Sequence, residues 1–180
     1  CLPLLWRLLL NKYKANRLYR HFTKPERFDT NLVVIGAGSA GLVTAYIAAA
    51  AKARVTLIER EKMGGDCLNT GCVPSKALIR SSRIASYIAR APEFGLAPAH
   101  AQTDFPAVMR RVQDVIGKIE PHDSVERYTE LGVDCVIGNA EIISPWEVKV
   151  GRQTITTRSI VIASGGQPAV PPIPGLDDID

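Results

Sequence analysis

From residue 31 onward the chain alternates short apolar runs with longer amphipathic stretches. Leu32-Val33-Val34-Ile35 is β-branched and uninterrupted, as expected of a strand covered on both faces, and it ends in a glycine-rich turn. The Ala-rich stretch to Lys52 favours a helix. Arg54 to Glu59 reads as a second strand, so residues 31–59 are predicted to form one βαβ unit. A helix is expected from Pro74 to Arg90, then a loop over APEFGLAPA, whose Pro and Gly break regular structure. Between Phe105 and Leu131, Val108, Val112, Val115, Ile116 and Ile119 recur at helical spacing until Pro121 interrupts, which predicts two helices or one kinked helix. Val133 to Ile137, Glu141 to Val150 and Thr154 to Thr157 read as short strands. Ser159 to Ala163 reads as a further buried strand, closed by Ser164-Gly165-Gly166 and followed by the extended linker QPAVPPIPG. No internal repeat is present. The fold class expected is α/β, a parallel sheet with an additional antiparallel β segment.

Composition agrees with a folded domain: 180 residues, 46% hydrophobic and 22% charged. The net charge of +4 is uneven. Residues 1–30 carry seven Lys/Arg against two acids, which leaves −1 for the remainder. No basic stripe interleaved with aromatics crosses the folded region, so nucleic-acid binding is not expected. The four cysteines, Cys1, Cys67, Cys72 and Cys135, are too few and too unevenly spaced for a secreted disulfide framework, which favours a reducing compartment.

The glycine turn is Gly36-Ala37-Gly38-Ser39-Ala40-Gly41. It follows a strand, opens a helix, and is answered eighteen residues past Gly41 by Glu59 at the end of the second strand. Such a loop suits a dinucleotide. The first glycine permits a tight turn, the second lets the backbone approach a pyrophosphate, and the third lets helix and strand pack closely, while the helix N-terminus stabilises the anion. Glu59 is placed to accept from ribose hydroxyls. The loop alone does not separate NAD from FAD.

Cys67 and Cys72 lie five positions apart in GGDCLNTGCVPSK. A zinc site needs four nitrogen or sulfur ligands, and His21, His100 and His122 have no ligand-like spacing to the pair, so no metal is expected. A passive disulfide across so short a loop removes little unfolded-state entropy. A redox-active disulfide fits its surroundings better. Val73-Pro74-Ser75-Lys76 starts a helix, which places the Cys72 sulfur at a helix N-terminus beside a lysine, where a thiol is depressed from about 8.5 into the ~3.5–7.5 range. Cys67, beside the carboxylate of Asp66, is then expected to keep the higher value and to be the thiol that attacks substrate. Cys135 is expected to be a small buried hydrophobe and His122 a surface residue.

With GAGSAG, Glu59, GGDCLNTGCVPSK and IVIASGGQPAVPPIPG, residues 31–176 resemble the Rossmann-like N-terminal FAD domain of the pyridine nucleotide–disulfide oxidoreductases, in the dihydrolipoamide dehydrogenase and mercuric reductase branch. The resemblance implies FAD as cofactor, NAD(P)H as reductant of the full-length protein, and a homodimer acting on a small-molecule, metal-ion or disulfide acceptor. It implies Cys72 as the thiol against the flavin, Cys67 as the interchange thiol and Lys76 near the flavin ring. The cofactor contacts it implies are Gly36, Gly38, Ser39, Ala40, Gly41, Glu59, Arg60, Gly65, Asp66, Cys67, Lys76, Ala140, Ser164 and Gly165. Asp66 and Ser164 stand where the family often has Thr, and Ser75 looks like the lipoamide and mercuric branch. The family's catalytic base belongs to a later part of the chain.

CLPLLWRLLL followed by NKYKANRLYR admits three readings: the end of a transmembrane helix with a positive cytoplasmic flank, an organelle transit segment, or a solvated amphipathic helix. The basic flank resembles the junction in bacterial proteins where a DedA-like membrane domain precedes this reductase, which implies the inner face of the cell membrane. The alternative is a mitochondrial matrix enzyme. Residues 1–30 are thus read as a basic, membrane-proximal segment, and 177–180 as the start of a linker to further NAD(P)-binding and dimerisation domains. The chain reads as a fragment.

Overall fold

The computed structural model describes residues 6–7, 10–11, 13–14, 17–167 and 169–176. The start of the N-terminal apolar stretch and the expected linker at 177–180 lie outside these residues. The elements are β1 (Thr30–Ile35), α1 (Ser39–Ala50), β2 (Val55–Glu59), α2 (Gly65–Asn69), α3 (Cys72–Ala89), α4 (Phe105–Ile119), α5 (Val125–Glu130), β3 (Val133–Ile137), β4 (Ala140–Ser144), β5 (Glu147–Val150) and β6 (Gln153–Ile162). Short 3₁₀ turns occupy Ala91–Phe94 and Glu120–Asp123.

The sheet order is β3-β2-β1-β6-β5-β4. β3, β2, β1 and β6 run parallel, as βαβ connections demand, while β4, β5 and the first part of β6 form an antiparallel meander. The α/β expectation with its antiparallel annex therefore holds.

Alternation along β1 and β2 divides the core into two clusters. On one face Val34 and Leu57 meet Leu42, Ala45 and Ala49 of α1, together with Tyr128 of α5. On the other, Val33 and Ile58 meet Val148, Val150 and Ile155 of the meander. Strands covered on both faces explain the unbroken β-branched runs. A side chain such as Leu57, 1% exposed, contributes about 2 kcal/mol by its burial.

Four details depart from the sequence expectations. Glu141 to Val150, expected as one strand, is two, β4 and β5, reversed by a turn at Pro145-Trp146. Thr154 to Thr157 and Ser159 to Ala163 were expected as two strands but form one ten-residue strand, β6, which ends at Ile162. The strand changes partner rather than direction: Gln153 and Thr156 pair antiparallel with Val150 and Glu147, whereas Ser159 and Ile162 pair parallel with Leu32 and Ile35. Part of APEFGLAPA, expected as loop, winds into the turn Ala91–Phe94 with Pro in its first positions. α3 starts at Cys72, before Pro74, which its first turn tolerates because those N–H groups lack intrahelical acceptors. The interruption at Pro121 produces two helices, joined by the turn Glu120–Asp123.

Candidate functional site

The site forms at the carboxyl ends of β1, β2 and β6, where an open parallel sheet leaves a crevice for ligands. Gly36 leaves β1 at φ 101°, a conformation that favours glycine. A Cβ there would lie 2.3 Å from the Ala163 carbonyl oxygen and 3.1 Å from the Ser164 Cα, so the end of β6 presses on the glycine loop. A Cβ on Gly41 would lie 1.8 Å from the Gly36 carbonyl oxygen, and one on Gly65 would lie 2.7 Å from the Gly38 Cα. The two glycine-rich segments therefore touch, backbone against backbone. The Gly64 N–H donates to the Ala37 carbonyl at 2.9 Å and fixes that approach.

Glu59 ties the arrangement together. Its Oε2 accepts from the Ala37 N–H at 2.6 Å and its Oε1 from the Glu61 N–H at 2.8 Å. Its carbonyl accepts from the Gly138 N–H at 2.7 Å, which brings the segment leading to Ala140 to the end of β2. Arg60 does not join this cluster, because its guanidinium pairs with Glu61 at 2.7 Å. Ser164 and Gly165 are exposed beside the loop, and space stands open around Gly165.

The donors present fit a dinucleotide. α1 is capped by Gly38, with no side-chain cap and no acid in its first turn, so its leading N–H groups face the crevice without a side-chain partner. A Cβ on Gly38 would meet nothing closer than the Gly65 Cα at 3.9 Å, which leaves the second glycine open for close approach of a pyrophosphate.

Cys67 lies in α2, an element without a signal in the sequence, and Cys72 opens α3 behind the uncapped Gly71. Asn69 holds α2 closed: its side-chain amide donates to the carbonyls of Gly65 at 2.8 Å and Met63 at 3.0 Å. Both thiols are free, and Cys72 is one of the groups that act on the Cys67 thiol. Placing the Cys72 sulfur at a helix N-terminus with Lys76 one turn away agrees with the sequence reading.

The expectation that Cys67 keeps its ordinary value is corrected. This thiol is held below its ordinary value, first by the Ser39 hydroxyl, then by Cys72, with Lys76 adding a favourable positive charge. Burial and the Asp123 carboxylate oppose the lowering. The acid that acts against the Cys67 thiolate is therefore Asp123, in the turn after α4, and not the sequence neighbour Asp66, whose side chain is exposed.

Asp123 was missed because nothing in EPHD marks it. Packing supplies the connection: the Arg111 guanidinium of α4 donates to the Ala77 carbonyl of α3 at 2.8 Å and locks the two helices together. Burial pushes the Asp123 carboxyl up, with the positive charge of His122 opposing. His122 is exposed, as expected. Cys135 is half-buried against the α1-side core, and burial pushes its thiol up. Among the described residues no cluster of His, Cys, Asp and Glu is arranged to hold a metal.

The sequence profile described as pyridine nucleotide-disulphide oxidoreductase matches residues 30–180. A mercuric reductase from Staphylococcus aureus is 33% identical over 152 residues, covering 84% of this chain and 28% of the relative. A dihydrolipoyl dehydrogenase from Chlamydia pneumoniae is 39% identical over 155 residues, covering 84% and 32%. Among solved structures, the HOCl-induced flavoprotein disulfide reductase RclA from Escherichia coli, as its Cu(II) complex, superposes with a TM-score of 0.65 at 30% identity, covering 82% of this chain and 31% of that one. The chain thus spans about a third of the length of these relatives.

Proposed function

The chain belongs to the pyridine nucleotide-disulphide oxidoreductase family, and from that premise we propose that it is the FAD-binding, thiol-bearing part of a reductase that takes electrons from NAD(P)H and passes them through Cys67 and Cys72 to an acceptor. The single observation that carries this reading is the backbone contact between the dinucleotide loop and the cysteine segment at Gly38 and Gly65. It couples cofactor site and thiol pair in one rigid unit.

Bound FAD supplies two-electron transfer between the nicotinamide and the protein disulfide. The residues that would hold it are Gly36, Gly38, Ser39, Ala40 and Gly41 at the pyrophosphate, Glu59 at the ribose, and the Gly65–Cys67, Ala140 and Ser164–Gly165 segments around them. Glu59 already accepts from Ala37 N–H, so one carboxylate shapes the loop and has remaining lone pairs for a hydroxyl. Lys76 places positive charge at the thiols, and Cys72 is the thiol assigned to the flavin side.

The lowered Cys67 value changes why this thiol suits interchange. A lowered value raises the fraction of Cys67 present as the attacking thiolate at any pH below it. On a disulfide acceptor, Cys67 attacks one sulfur, forming a mixed disulfide and releasing one thiolate. Cys72 then attacks Cys67, closing the protein disulfide and releasing the second thiolate, so two electrons leave the pair. A mercuric ion would instead be bound between thiolates before its reduction. The full-length protein is read as a homodimer, a reading supported by the apolar residues exposed along α3.

The test uses the full-length protein. NADH or NADPH should produce a two-electron-reduced form with a long-wavelength thiolate-to-flavin absorption band, abolished by Cys72→Ser. A folded yellow protein that never shows the band would support a flavin-binding redox sensor without turnover. A colourless protein that binds NAD would sink the FAD assignment. A panel of lipoamide, mercuric ion and other disulfides then selects the acceptor.

A further inference from the structure

Three guanidiniums gather at the end of the sheet opposite the crevice. Arg27 precedes β1, Arg54 precedes β2, and Arg158 lies in β6 next to Thr157, the residue that pairs with Thr30 at the start of β1. With Glu26 and Phe28 they line an open recess of about 360 Å³. The length of β1, about 17 Å at 3.3 Å per residue, separates this recess from the glycine loop.

The recess is held in shape. One Arg54 Nη2–H donates to the Phe28 carbonyl at 3.0 Å, and the Arg158 guanidinium sits 5.9 Å from the Phe28 ring centroid. Asp29, the nearby acid, makes its hydrogen bonds to Thr156 and not to Arg54: its Oδ2 accepts from the Thr156 N–H at 2.8 Å and the Thr156 hydroxyl at 2.7 Å. Among the described residues, ion pairs within 4.0 Å form at Arg60, Arg90, Arg110, Arg127 and Lys149, but not at Arg27, Arg54 or Arg158. Three guanidiniums against Glu26 and Asp29, whose carboxyl the Arg54 charge helps to lower, still leave the recess positive, and each retains N–H donors suited to phosphate oxygens.

The chain enters the recess from a segment of matching character. Tyr19 meets the Trp146 ring edge-on at 5.8 Å, and the Lys24 ammonium lies 6.0 Å from the same ring. The Thr157 N–H donates to the Trp146 carbonyl at 2.8 Å, which places Trp146 at this same end of the sheet. Upstream, Trp6, Tyr13 and Leu18 are 66%, 67% and 70% exposed, interspersed with Arg7, Lys14 and Arg17. Exposed aromatics alternating with cations are the pattern of a segment lying in a membrane interface. No helix among the described residues is long and apolar enough to cross a membrane.

We infer that the Arg27–Arg54–Arg158 recess binds the phosphate of anionic phospholipid headgroups, with the basic aromatic segment lying beside it. The amino ends of the strands then face the bilayer, and the glycine loop and cysteines face away from it. The negative surface potential of a cytoplasmic leaflet attracts this pole. The proposal is independent of the electron-transfer reading, since none of its residues belongs to the dinucleotide crevice.

The experiment is co-sedimentation of the chain with phosphatidylcholine vesicles and with phosphatidylcholine vesicles containing phosphatidylglycerol, at fixed ionic strength. Binding is expected only to the anionic vesicles, and Arg54→Gln and Arg158→Gln are each expected to weaken it about fivefold. Arg80→Gln and Arg83→Gln, on exposed positions of α3, make the same charge change away from the recess and should leave binding near the unsubstituted level. Because Arg54 and Arg158 also contact Phe28, Arg27→Gln, on an exposed residue, repeats the test without disturbing those contacts. Equal weakening by recess and α3 substitutions would overturn the proposal in favour of general charge attraction. Binding of inorganic phosphate in the recess without preference for anionic vesicles would overturn the lipid assignment.

Discussion

Leu57 in β2 and Leu78 in α3 are the same side chain in opposite surroundings, one 1% and the other 42% exposed. The contrast extends to their regions. The parallel strands and α1 bury one another on both sheet faces, whereas α3 buries only Ala77 and α4 only Val112. Leu78, Ile79, Ile84 and Tyr87 of α3 remain exposed, with Phe105 and Met109 of α4. The cofactor half thus has a packed core, although α1 leaves Val43, Tyr46 and Ile47 exposed on its outer face, and the thiol-bearing half buries almost nothing of its own. The two thiols sit on the seam, with Cys67 facing Ser39 of the cofactor half and Cys72 opening the helix of the other.

The largest effect should come from filling the glycine contact. Gly41→Ala drives a Cβ to within 1.8 Å of the Gly36 carbonyl oxygen, and neither backbone can yield without opening the loop. A loss of about 3 kcal/mol or more is expected, read as a lower unfolding midpoint and failure to retain flavin.

A paired truncation breaks or sharpens the contrast itself. Leu57→Ala should cost about 3 kcal/mol in chemical denaturation of the chain, whereas Leu78→Ala should stay within about 0.5 kcal/mol. If the full-length protein covers α3, Leu78→Ala should cost more there than in this chain. Equal costs in the chain alone would remove the distinction between the two halves.

The smallest effect concerns the seam. Removing the Ser39 hydroxyl takes away the first cause of the lowered Cys67 value, so Ser39→Ala should move the midpoint of Cys67 alkylation to higher pH. The stability sign follows. A thiol lower in the folded chain than in the unfolded one contributes stability that is complete above the unfolded value and is lost as pH falls through the folded value. In the reduced chain this window should narrow in Ser39→Ala. Cys135 has the opposite sign, because its raised value contributes stability below the unfolded thiol value that is lost as pH rises through the folded one. Urea titrations of Cys135→Ala isolate the Cys67 contribution.

Most of the cofactor half was legible because its signals are local. The run Leu32–Ile35, the spacing of Gly36, Gly38 and Gly41, and Glu59 all fall within one βαβ unit, and backbone geometry dictates them directly. What escaped was set by distant partners. β6 looked like two strands because its change of partner from β5 to β1 leaves no mark on Gln153–Ile162. α2 is too short for a periodic pattern. The acidity of Cys67 was misread because Asp66 is adjacent in sequence, while the groups that act on the sulfur, Ser39 and Asp123, come from elsewhere in the chain.

The continuity of β6 also orders events in time. β1 closes its glycine loop against Ala163, at the far end of a strand that is synthesised after every other element of the sheet. A nascent chain can form the α1 helix and the β1–β2 pair early, but the wall behind Gly36 exists only once β6 has emerged and found β1. Until then the β1 edge stays open, so the newborn domain passes through a stage with an unpaired apolar strand at its centre. Synthesis halted before residue 153 should leave a chain prone to aggregation and without a complete dinucleotide cradle.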